Sequence, residues 1–165
     1  RVFSHFFAMG HSGKPQPEHL FDMVKSRAVS RYTGSKVALD EKWRQQLHQK
    51  FGEIETSLIE DYRAKNARPA LVRDKIAVPY MTVVAEDVNA LSELAQGKMR
   101  PLDLPGLNSS IVRLSRVGFD ARKETALFHV DLTGGGPSIG HFILMTKSGE
   151  QWLFKGMLMT RYIIH

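Results

Sequence analysis

Four polar side chains in the C-terminal third of the chain have the types and spacing for chemistry: His129, Asp131, His141 and Arg116. His129 and Asp131 stand two apart in TALFHVDLT (125–133). There Ala126, Phe128, Val130 and Leu132 alternate with Thr125, His129 and Asp131, so on a strand the histidine and the carboxylate share a face. His141 follows a glycine-rich break on the next strand, and Arg113 and Arg116 lie on the strand before. A histidine base, a carboxylate that orients it and an arginine that holds an anion are the parts of an acid–base site. Such a site would need a small-molecule cavity between sheet and helix. The two histidines with Asp131 are also the minimum of a metal site. No further ligand aligns with them and no H-E-x-x-H occurs, so no metal and no cofactor is expected. The plainer reading is preferred to both: alternation with Phe128 and Val130 puts these polar residues on the solvated face of a one-sided sheet.

Other patterns resolve in the same direction. Gly134-Gly-Gly with Gly140 invites a phosphate loop, but a strand follows where a helix N-terminus is required. A hairpin whose glycines supply positive φ angles is the better reading. Gly10 to Pro15 has too few residues between its glycines and a proline where Ser or Thr is needed. There is no G-x-S-x-G elbow, and Ser115 lies within a strand. The chain has no cysteine, which excludes disulfides, thiolate zinc sites and a cysteine nucleophile.

The elements that must position these residues are written most plainly after Ile111. Strands are expected at Ile111–Phe119, Thr125–Thr133, His141–Lys147 and Gln151–Ile164, joined by Ala121–Glu124, the glycine loop and the tight turn Ser148-Gly149-Glu150. In the last strand Trp152, Phe154, Leu158, Tyr162 and Ile164 are read as one face. Upstream, Trp43, Leu47, Phe51, Ile54, Leu58 and Tyr62 draw a single stripe at helical spacing. This predicts one long helix, capped by Asp40 and ended near Lys65 by Asn66 and Pro69. Residues 17–28 and 86–95 have the spacing of shorter helices, and 76–84 reads as a strand that Pro79 demotes to an edge or bulged position. Residues 30–36 and 99–109 read as loops. Residues 1–15 are read as a short strand, a docked arm or a disordered, flexible end.

At 165 residues the chain fits one domain with a sizeable core. Its net charge of +6 lies mostly in the N-terminal half. The positive residues are scattered singly, with no basic run and no interleaved aromatics, which argues against nucleic acid. No apolar run approaches a membrane span. The chain opens without Met, which reads as a start after a removed or truncated segment.

SRVGFD (115–120), TALFHVDLTGGG (125–136) and GEQWLFKGMLMTRYI (149–163) together resemble a family of uncharacterised bacterial proteins. Its members carry a Ser-Arg-Val-Gly-Phe-Asn strand, an Ala-Leu-Val-Tyr strand, a glycine-rich loop and a Gly-Lys-Trp turn. VPYMTVVAEDVNAL (78–91) and Lys65-Asn66 are also similar. The chain departs from the pattern at Asp120, at the cysteine-free glycine loop and at Arg161-Tyr162. The resemblance implies a bacterial, periplasmic or secreted setting and carries no activity, cofactor or site residue.

The expectation is therefore a single α+β domain. N-terminal helices, one of them long, pack on a four-stranded antiparallel meander, as in cystatin-like or NTF2-like folds. A non-catalytic binding or interaction module with a protein partner is the first functional expectation. The alternative is a small-molecule or acid–base site using His129, Asp131, His141 and Arg116.

Overall fold

The computed structural model describes residues 2–9, 28–30, 33, 37–71, 82–84, 111–133 and 138–163. In chain order these form α1 (Val2–Met9), β1 (Ala28–Ser30), α2 (Glu41–Phe51), α3 (Thr56–Asn66), β2 (Thr82–Val84), β3 (Ile111–Leu114) and β4 (Gly118–Phe119). β5 (Thr125–Thr133), β6 (Ser138–Ser148) and β7 (Gln151–Ile163) follow.

The strand order is β2-β1-β3-β5-β6-β7, with β4 pairing β5 beyond β3. β1 runs parallel to β2 and to β3, while the remaining pairs are antiparallel. The sheet is thus mixed, open and seven-stranded, where a four-stranded meander was expected. A three-residue strand far upstream in sequence fills the place between β3 and β2. β2 lies at one end of the order, in keeping with the edge position read for 76–84.

The expected long helix is two short ones. Asp40 caps α2 as read, its Oδ1 accepting the Trp43 N–H at 3.0 Å. At Gly52 the backbone turns to φ +82°, and its N–H closes the last turn on the His48 carbonyl at 2.9 Å. Only glycine takes that conformation without strain, so it ends a helix that the apolar stripe alone would continue. Glu53 to Glu55 then link to α3, which ends at Asn66 as expected. The stripe keeps its job despite the break: Leu47, Ile54, Leu58 and Tyr62 are buried together with Leu127, Phe142 and Leu144 of the sheet. Among the described residues the helices are three short ones on a dominant sheet, with no long helix for the sheet to wrap, so the cystatin-like or NTF2-like arrangement is set aside.

The opposite face of the sheet is covered as well. α1 places Phe6 and Phe7, both fully buried, among Val112, Phe128, Val130 and Ile143. Phe3 and Phe6 meet Phe128 edge-on, with ring centroids 5.0 and 5.3 Å apart. Val2–Met9 is therefore a helix docked on the sheet, which corrects the short-strand and flexible-end readings over those residues. It follows that the sheet has two buried faces.

The strand expected over 111–119 is interrupted at Ser115–Val117. The Ser115 hydroxyl accepts the His129 N–H at 2.7 Å, and the Asn66 amide brackets Arg116 by accepting its N–H (2.7 Å) and donating to its carbonyl (3.0 Å). Gly118 lets α3 come close, since a Cβ there would lie 2.6 Å from that of Tyr62. The turns at 121–124 and 148–150 form where expected, the second with Gly149 at φ +58°.

Ala28 is the one described residue of the helix read for 17–28, and it lies in β1. The helix read for 86–95, the loop at 99–109, Gly134–Pro137 and most of 30–36 lie outside the described residues. Among the described residues no helix is long and apolar enough to cross a membrane.

Candidate functional site

The alternation in β5 does what period two dictates. Phe128 and Val130 join the core under α1, while Leu127, His129 and Asp131 face the side of α2 and α3. Because both faces are covered, His129 and Asp131 are each 0% exposed. The solvated-face reading of these residues is thereby overturned: they are buried polar groups, which must find partners.

Those partners come from β7. The ladder pairs His141 with Met159 and Gly140 with Arg161, leaving Thr160 as the extra residue of a β-bulge. Its Oγ1 lies 2.8 Å from His129 Nε2. His129 Nδ1 is 3.4 Å from Asp131 Oδ2, and Arg161 Nη2 is 3.4 Å from Asp131 Oδ1. Both histidine contacts pair a donor with an acceptor when the ring proton is on Nδ1: Thr160 O–H then donates to Nε2, and Nδ1–H faces the carboxylate. Gly140 makes the cluster possible. A Cβ there would stand 2.7 Å from Thr160 Oγ1 and 2.8 Å from Asp131 Oδ1. The register sets Arg113 directly opposite Asp131, so Arg113, Asp131, Gly140 and Arg161 form one row across four strands.

The other candidates go elsewhere. His141 pairs with Val130 and so takes the face opposite His129; it is buried, and the two imidazoles do not meet. Arg116 is exposed and its guanidinium donates to the Lys65 carbonyl at 3.2 Å, against the C-terminal end of α3. It serves that helix end, and Arg161 takes the place proposed for it. Ser115 holds the His129 backbone, which leaves the ring to Thr160. Among the described residues no three His, Asp or Glu side chains are gathered to hold a metal. A groove of about 600 Å³ runs along α3, lined by Val37–Asp40, Tyr62, Arg63, Asn66 and Ala67. Neither His129 nor Asp131 lines it.

Thr160 and Arg161 escape sequence reasoning because a bulge changes which residues share a face. The usable signal was Thr-Arg itself, a polar pair inside the otherwise apolar MLMTRYII.

β7 carries a second feature. Among the described residues its only sheet partner is β6, so a thirteen-residue strand forms one border of the sheet. Leu153, Met159 and Ile163 on it are each more than 40% exposed. It bears Lys155 and Arg161 and no acidic residue or proline.

No protein-family model, no curated protein and no solved structure matches this chain.

Proposed function

We propose that the protein is a binding module whose β7 border takes up an extended, acidic segment of a partner protein as an added strand. The length and exposure of β7 carry this reading. A border strand offers a row of backbone N–H and C=O groups to which an extended segment can add as a further strand. β7 is long and proline-free, with apolar side chains toward solvent. Its bulges at Lys155 and Thr160 divide it into segments and restrict the registers open to a partner. The charge selects the partner's chemistry: with Lys155, Arg161 and a chain charge of +6, acidic side chains are favoured. A second copy would set like charges against each other. A bacterial, extracytoplasmic setting, as the family resemblance implies, belongs to the same proposal.

The test titrates isotope-labelled protein with a short synthetic peptide of alternating Val and Glu. Amide shifts should map to residues 151–163 and weaken with salt. Replacing Leu153 and Met159 by Glu should weaken binding about tenfold, about 1.4 kcal/mol. Shifts that avoid β7, or a concentration-dependent dimer that blocks the peptide, would refute the reading.

A further inference from the structure

The order of groups in the buried cluster is that of an activated hydroxyl, and we infer that Thr160 is a nucleophile for acyl transfer from small esters. The four roles of such a site are each filled by a named group. Thr160 Oγ1 lies 2.8 Å from His129 Nε2, within reach for general-base abstraction of the hydroxyl proton. Asp131 Oδ2 stands 3.4 Å from the other ring nitrogen, an ion-pair distance with no hydrogen bond between the two atoms, and catalytic contacts of this kind tighten once substrate is bound. It orients the imidazole and offsets the charge the ring gains. Arg161, next to the nucleophile in sequence, bonds Asp131 through Nη2 while its buried Nε–H has no acceptor among the described residues. That donor suits the oxyanion of a tetrahedral intermediate.

Access limits the substrate. His129 and Asp131 are closed to solvent, whereas Thr160 and Arg161 are partly exposed, so an ester reaches the cluster only from the β7 side. Gly140 leaves no spare room beneath Thr160.

The chemistry balances without a co-reactant other than water. As Oγ1 bonds to the carbonyl carbon, its proton passes to Nε2. The tetrahedral carbon expels the alcohol, which leaves with the proton from Nε2. Water then attacks the acyl-threonine, giving a proton to Nε2, and Oγ1 departs with that proton. One ester and one water become one acid and one alcohol.

The experiment incubates the intact protein with p-nitrophenyl acetate and follows nitrophenol release and the acetylation site by mass spectrometry. A single acetyl group on Thr160 is expected. Thr160→Val should lose the adduct while remaining folded by circular dichroism, and Thr160→Ser should keep it. His129→Gln should slow acetylation on the order of 100-fold or more. Absence of both an adduct and nitrophenol release above buffer, or acetylation confined to lysines and equal in Thr160→Val, would overturn the inference. Neither result bears on strand docking at β7, which is read by amide shifts.

Discussion

Gly140 is the residue on which the buried cluster turns. Its missing side chain is the space that Thr160 Oγ1 and Asp131 Oδ1 occupy, each under 3 Å from where a Cβ would stand. Gly140→Ala should therefore cost about 1–3 kcal/mol through overpacking, read as a lowered midpoint in urea. Thr160→Ala removes one of the two obstructing atoms. The double variant should be less destabilised than the sum of the singles, and strict additivity would show that the two positions do not compete for space. The sequence made Gly140 look like a hairpin glycine, serving φ. Its role is steric and depends on a strand that pairs with it only through the fold, which is why local reading could not find it.

At the scale of elements, the break between α2 and α3 rests on Gly52 at φ +82°. Gly52→Ala should cost about 1–2 kcal/mol, with nothing gained from continuing the helix because Ile54 and Leu58 are already buried. A neutral or stabilising result in chemical denaturation would mean that the break is set elsewhere. The stripe from Trp43 to Tyr62 was legible because burial has a helical period even across the interruption. One glycine inside it carries little weight in a periodicity argument, so the interruption was not. β5 was legible for the same reason, as strict alternation survives in the structure. In β7 the bulges at Lys155 and Thr160 shift the faces: Trp152, Phe154 and Met157 go to the α1 side and Leu158 to the other. A fixed period of two therefore misassigned Leu158. β1, three residues long, is too short to show any period.

The described residues are organised as helix, sheet and helices in three layers, with α1 alone in the first. α1 covers its face of the sheet with Phe6 and Phe7, so Phe6→Ala should cost about 3–5 kcal/mol, measured by thermal or urea unfolding. A loss under about 1 kcal/mol, the usual range for surface changes, would mean that α1 is dispensable. The same packing has a kinetic side. The Trp152 N–H donates to His5 Nδ1 across 147 positions of sequence, and Val29 joins a core made with residues beyond 111. Phe3, Phe6 and Phe7 thus lack the surface they pack on until β5, β6 and β7 have assembled. Such non-local closure places folding in the slow, millisecond-to-second regime of sheet proteins. During that interval the aromatic-rich segment Val2–Met9 stays uncovered, open to any chaperone that recognises short apolar stretches.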